Sequence, residues 1–150
     1  MTEHLLRREL RLEGSPKDVF PFFADAANLG RITPPELRFQ ITTPLPIEMR
    51  VGAIIEYQLR LFGVPFGWRT EISAWEPPYH FVDEQRRGPY ALWHHTHRFE
   101  ESEGATLMID EVRYALPLSP LGEIAHPIVR RQLDRIFDYR AAMVPELVGG

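Results

Sequence analysis

Three of the chain's six histidines fall within four positions of the stretch GPYALWHHTHRFEE, residues 88–101. An imidazole titrates near neutral pH and, when uncharged, offers one donor and one acceptor. The grouping therefore admits a metal site, a general base, a polar anchor inside a ligand cavity, or a solvated surface. Strand alternation separates the rings: Trp93, His95, His97 and Phe99 share one face, and Leu92, His94, Thr96, Arg98 and Glu100 share the other. The charged companions of His94 mark its side as the wet one. His95 and His97 point inward with two aromatics.

Hairpin arithmetic supplies their neighbours. A turn centred on Ser102 and Glu103 sets Phe99 opposite Thr106, His97 opposite Met108, His95 opposite Asp110 and Trp93 opposite Val112, with facing Cβ atoms roughly 5 Å apart. A three-residue turn over Gly88, Pro89 and Tyr90 sets Asp83 opposite His95 and Phe81 opposite His97; a two-residue turn there reverses the faces unless a bulge restores them. The expected cluster is His95 flanked by Asp83 and Asp110, with His97, Gln85, Tyr57, Thr70 and Tyr114 on the same concave side. Trp68, Trp93, Phe81, Phe99, Ile55, Leu59 and Met108, with Ile136 and Phe137 from the final segment, form the apolar wall.

Such a cluster supports three readings. It can be a polar layer that fixes strand register and satisfies itself by hydrogen bonds. It can anchor an otherwise apolar ligand. It can also hold His95, with Asp110 or Asp83, as a general base beside a tyrosine that polarises a carbonyl, Tyr57 or Tyr114. A zinc chelate through His95 and His97, with Asp110 or Asp83 as third ligand, is the sharper alternative, but the two-residue spacing stands alone as a signal. No metal and no cofactor is the expectation. His126, in SPLGEIAHP, is expected as a helix cap or surface group.

The elements that position these residues are read from periodicity. HLLRRELRLEG reads as a strand whose alternation slips at Arg7 and Arg8, a slip that a bulge could absorb. SPKDVFPFFADAANLGRITP opens with Ser15 as N-cap and Pro16 in the first turn; Pro21 predicts two short helices broken near residues 23 to 25. LRFQITTP alternates again. From Ala53 the period is two for about sixty residues, predicting an antiparallel meander over 53–116 with one enclosed face. The period then becomes helical: Ile124, Ile128, Val129, Leu133, Ile136, Phe137, Ala141 and Val144 predict an amphipathic helix over roughly 122–144, with Pro145 helping to end it.

The chain has 150 residues, suited to one domain, residues 1–150, that buries roughly two-thirds of its unfolded surface. Its 17 basic and 21 acidic residues give a net charge of −4, which does not favour a nucleic-acid partner. No cysteine is present, so disulfides and thiolate chemistry are excluded. MTEHLLRRELRLEG lacks the apolar core of a signal peptide, and no apolar run reaches spanning length. A cytoplasmic location without integral membrane association is expected.

A strand, two short helices, six further strands and a long carboxy-terminal helix resemble the helix-grip fold of the START-like, or SRPBCC, superfamily. The resemblance rests on SPKDVFPFFADAANLGRITP, on PPYHFVDEQRRGPYALWHHTHRFEE and on the final helix ending FDYRAAM. It implies an α+β fold in which a curved seven-stranded antiparallel sheet wraps around the helix, leaving an internal cavity. It does not imply one reaction, because a fold hosts many functions. A small-hydrophobic-ligand binder, with the FGVPFG segment and the long helix gating the cavity, is the first reading; the ligand is lipid-like, aromatic or isoprenoid. A polyketide cyclase, aromatase or dehydratase-like enzyme is the second, and a regulatory module acting through its surface the third.

Overall fold

The structure, a computed structural model, describes residues 2–149. Seven strands form one antiparallel sheet: β1 (His4–Glu13), β2 (Gln40–Ile41), β3 (Ile54–Leu61), β4 (Val64–Glu76), β5 (His80–Arg87), β6 (Leu92–Ser102) and β7 (Ala105–Ala115). Their order is β1-β7-β6-β5-β4-β3-β2, a meander whose last strand pairs with the first. Helix α1 (Pro16–Phe23) and two 3₁₀ turns (Ala26–Ile32 and Pro35–Leu37) separate β1 from β2; α2 (Leu121–Ile124) and the long α3 (His126–Gly149) follow β7. This is the α+β helix-grip architecture, with α3 against the enclosed face of the sheet.

The core divides in two. One apolar cluster gathers Leu12, Phe20, Ile55, Ile72, Phe81, Phe99, Met108 and Val144. The other gathers Leu6, Leu59, Trp68, Val112, Tyr114, Leu133 and Phe137. Strands β1, β3, β4, β6 and β7 and helix α3 cross from one cluster to the other, and each places a polar side chain at the crossing. On β6 the residues between Phe99 and Trp93 are His97 and His95; on β7 Asp110 lies between Met108 and Val112. Arg8 on β1, Asp83 on β5, Thr70 on β4, Tyr57 on β3 and Arg140 on α3 occupy the same level. A polar belt therefore runs across the inside of the sheet and onto the helix.

Several expectations change. The hairpin between β6 and β7 turns on Glu103 and Gly104, not on Ser102 and Glu103: Ser102 pairs with Ala105, and the two turn residues have φ of 50° and 79°. Positive φ at both central positions is the type I′ turn that matches strand twist, and Gly104 suits its second place. The register moves by two, so His95 faces Val112 and His97 faces Asp110, with the inward face unchanged. β1 has no bulge; its pairing with β7 is continuous from His4 to Glu13, and Arg8 keeps an inward position because its guanidinium bonds Asp134 at 2.7 Å and Asp138 at 2.8 Å on α3. Bulges occur instead on β4, where the shift between Ile72 and Ala74 turns Trp75 onto Phe20 and Phe81.

Two proline readings divide. The break after Phe23 stands, with the 3₁₀ turn capped by Asp25, whose side chain accepts from the Ala27 amide at 3.0 Å. Pro145 does not end α3, which continues to Gly149 with Val144 buried and Leu147 and Val148 packed on the first cluster. Those contacts hold the last turn despite the missing amide donor. Ile124 and Ile128, read as part of the buried stripe, are 79% and 59% exposed, so the gripped face of the helix begins at Val129. His94 is half-buried rather than exposed.

Candidate functional site

The centre of the belt is a lattice of two imidazoles and two carboxylates. His95 Nε2 donates to Asp110 Oδ1 at 2.7 Å, and His97 Nε2 donates to Asp83 Oδ2 at 2.5 Å. Both bonds run diagonally, because Asp83 faces His95 and Asp110 faces His97 across the strands. The remaining nitrogens also look toward carboxylates: His95 Nδ1 lies 3.7 Å from Asp83 and His97 Nδ1 3.4 Å from Asp110. The rings stack on each other with centroids 3.6 Å apart, Phe81 stacks on the far side of His97 at 3.9 Å, and Phe137 meets His95 edge-on. Phe81, His97, His95 and Phe137 thus form one column.

Arg140 completes the charge pattern. Its Nη1 lies 3.8 Å from Asp110 Oδ1, and its guanidinium sits 5.0 Å over the Phe137 ring. Burial pushes the Asp110 carboxyl up, but the bond to His95 and the charges of His95, His97 and Arg140 prevail and hold it at about 2. The same balance of burial against His95, His97 and Arg140 lowers Asp83. Burial, and then the neighbouring His95, pull His97 down to about 4 despite both carboxylates. Burial raises the Tyr57 phenol, and the Asp83 charge adds to the effect.

One side of this lattice borders a cavity of about 130 Å³. Of the residues expected at a ligand site, Tyr57, Trp68, Thr70, Phe81 and Asp83 line it from β3, β4 and β5. Trp93, His95 and His97 from β6 and Ile136 and Phe137 from α3 line it as well, with Ile55 and Leu59 in the wall. Five expected residues lie elsewhere. Gln85 clasps the loop before β6 through two bonds to the Tyr90 backbone, of 2.8 and 3.0 Å. Phe99 and Met108 belong to the first apolar cluster. Asp110 stands behind the histidines, against a smaller cleft of about 40 Å³ that Arg8 and Arg140 also touch. Tyr114 is buried in the second cluster, and its hydroxyl meets His126 Nε2 at 2.9 Å.

The FGVPFG segment does not reach the cavity: Phe62 and Gly63 form a tight turn joining β3 to β4, with Phe62 exposed. Phe22, Phe23, Leu29 and Ile32 of α1 and the first 3₁₀ turn line the cavity as well. Arg140 and Tyr90 also line the cavity and are not among the site residues expected from the sequence, where Tyr90 figures only in the turn before β6. Arg140 had a readable signal, since it follows Ile136 by four and Phe137 by three and so shares their helix face.

The ligand atoms of Asp83, His95 and His97 lie within 4.8 Å of one another, a distance that a metal could span. The ring planes argue for a different use. Imidazole lone pairs lie in the ring plane, and here the planes are 25° from parallel and stacked, with each Nε2 spent on a separate carboxylate. A chelate requires both rings to turn edge-on to one point.

Among solved structures, the chain is similar to the ZhuI aromatase/cyclase from Streptomyces sp. R1128, with a TM-score of 0.79 at 12% identity over 99% of this chain and 94% of that one. It is also similar to a protein from Thermus thermophilus, at TM-score 0.77 and 14% identity over 97% of both chains. A START superfamily protein from Mycobacterium smegmatis matches at TM-score 0.69 and 11% identity, over 96% of this chain and 99% of that one. No family model and no curated protein matches the sequence. The fold is therefore the START-like helix-grip fold, and no described helix is long and apolar enough to cross a membrane.

Proposed function

We propose that this single domain binds a small hydrophobic molecule in its internal cavity, with the imidazole–carboxylate belt as the polar wall that orients it. The observation that carries the reading is the placement of the belt: it is the polar floor of an otherwise apolar, aromatic-rich cavity, where ligand sites typically combine a greasy wall with few convergent polar groups. The START superfamily and aromatase/cyclase neighbours support a cavity-based role by fold alone.

The cyclase-like alternative needs an imidazole nitrogen free to take a proton. In both rings each nitrogen already faces a carboxylate, which favours an orienting role over a general base. Native mass spectrometry of protein purified without added ligand tests the proposal, a copurified hydrophobic compound being the expected result. With that compound in hand, His95→Gln separates the readings. Loss of on the order of 1–3 kcal/mol of binding with the fold intact supports the anchor. Unchanged binding with turnover lowered by roughly two orders of magnitude supports the enzyme.

A further inference from the structure

The two ends of the sheet differ in charge and in polarity. Antiparallel order brings the β3–β4 turn, the loop before β6, the segment after β7 and the start of β1 to one end, and the β4–β5 and β6–β7 turns to the other. Those last two turns and their flanks carry Glu76, Glu100, Glu101 and Glu103 and no lysine or arginine. The first end carries Arg60, Arg86, Arg87, Arg113, Arg130 and Arg131 against Glu3 and Glu123, although the chain as a whole has a net charge of −4. Arg86, Arg113 and Arg130 are paired with acids, whereas Arg60, Arg87 and Arg131 are exposed and make no ion pair among the described residues. The same basic end exposes large apolar groups: Leu118 is 80% exposed, Leu121 70% and Ile124 79%. Leu121, Ile124 and Ile128 follow helical spacing along α2 and the first turn of α3 and so share a face. Between Pro117 and Ile128 the one acid, Glu123, is turned inward onto His4, and His126 is turned onto Tyr114, which leaves the outward face uncharged. Phe62 in the β3–β4 turn and Leu118 after β7 hold φ of 55° and 60°, a left-handed conformation that bulky residues adopt at a cost. At the acidic end the same conformation falls to Glu103 and Gly104. Folding gains little from an exposed Phe or Leu at such positions, and a contiguous exposed apolar face marks an interaction surface.

We infer that this end docks peripherally on an anionic lipid bilayer, with Leu118, Leu121, Ile124 and Ile128 entering the headgroup boundary and the unpaired arginines facing lipid phosphates. Charge decides the occupant. A second copy seated on the patch about a two-fold axis would bring two basic ends together, and like charges across an interface are costly. An anionic bilayer pairs with the arginines and takes up the apolar groups at once. The bond from His4 to Glu123 and the stack of His4 on His126 hold α2 with its apolar face outward. The inference is independent of what the internal cavity holds.

Co-sedimentation of the full chain with two kinds of vesicle tests this, one of phosphatidylcholine alone and one of phosphatidylcholine mixed equally with phosphatidylglycerol. Binding to the mixed vesicles is expected to be roughly tenfold or more tighter than to phosphatidylcholine, and to weaken in about 1 M salt. Leu121→Ser combined with Ile124→Ser should lower binding to the mixed vesicles roughly tenfold or more. Arg87→Gln combined with Arg131→Gln should instead reduce the preference for them over phosphatidylcholine. All four side chains are exposed, so thermal melting should not change in either variant. Val51→Ser, at an exposed apolar site ahead of β3 and so at the opposite end, should bind as the unaltered chain does. No binding of the unaltered chain to the mixed vesicles overturns the inference, as does full binding by the Leu121→Ser, Ile124→Ser variant. Equal binding to both vesicles at low salt overturns the role of the arginines. A dimer in solution that the same double variant disrupts, without vesicle binding, overturns the bilayer in favour of a second copy.

Discussion

Two stacked imidazole pairs occupy this molecule, one in its centre and one at its rim. His95 and His97 are neighbours on one strand, while His4 and His126 come from opposite ends of the chain, yet both pairs stack with centroids 3.6 Å apart. In each pair one ring is held toward its neutral form by burial first and by the partner histidine second: His97 at the centre, His126 at the rim. The difference lies in what surrounds them. The central pair is buried and has two carboxylates and a guanidinium; the rim pair is half-buried, with Glu123 against His4 and the Tyr114 hydroxyl against His126. The same ring chemistry makes a buried lattice in one place and a surface clasp between β1 and α2 in the other. Burial and the number of counter-charges decide which.

The largest expected contrast comes from removing one carboxylate in each place. Asp110→Ala strips buried His95 of its partner and removes the carboxylate beside Arg140, so unfolding stability should fall by about 3–5 kcal/mol, as when a buried pair is broken from one side. Denaturant titration measures it. A loss below about 1 kcal/mol would show that water enters the belt and that the central pair behaves like the rim.

Acid should act on the centre next. The folded pKa of His97 is lowered to about 4 from its usual 6.5, so the unfolded chain binds the proton more readily between those values. The corresponding stability is complete above pH 6.5 and is lost as pH falls toward 4. Asp110, lowered to about 2, adds a second loss below its ordinary carboxylate range. The first step is on the order of 3 kcal/mol by linkage and should vanish in His97→Gln. Melting curves across roughly pH 4–7 for the two proteins decide it, and identical profiles would place the acid response elsewhere.

Much of the central pair was readable in the sequence, and almost none of the rim pair was. Alternation along each strand, joined to the assumed turns at residues 88–90 and 102–103, puts His95, His97, Asp83 and Asp110 on one face. An error of two in the β6–β7 register left the face unchanged, and the diagonal geometry kept His95 in contact with Asp110. Arg8 and Arg140 were missed for a common reason: a charged residue on a core stripe is rare unless paired, and their partners lie on other elements. Arg8 therefore read as a slip in the strand. His4 and Glu123 are 119 positions apart, and their meeting depends on how the segment between β7 and α3 folds. No local period encodes that.

The smallest effect is expected at the rim, and it sharpens the comparison because the bond itself is no weaker in geometry. His4 Nε2 lies 2.8 Å from Glu123 Oε2, nearly the distance between His95 and Asp110. The side chains of His4 and Glu123 are, however, 18% and 25% exposed, against 5% for both His95 and Asp110. Water and salt therefore share the work of the rim partner, and water can replace it when it is removed. Helix α2 also has its own backbone ties, from the Gly122 amide to Leu118 and from the Glu123 amide to Pro120. Glu123→Gln should cost about 1 kcal/mol or less at low ionic strength, and this difference should shrink further in about 1 M salt, where charges are screened over roughly 3 Å. The Asp110→Ala loss should persist in the same salt. A salt-resistant loss at Glu123 comparable to that at Asp110 would mean that exposure does not separate the two pairs, and that the clasp between β1 and α2 contributes to the core as much as the belt does.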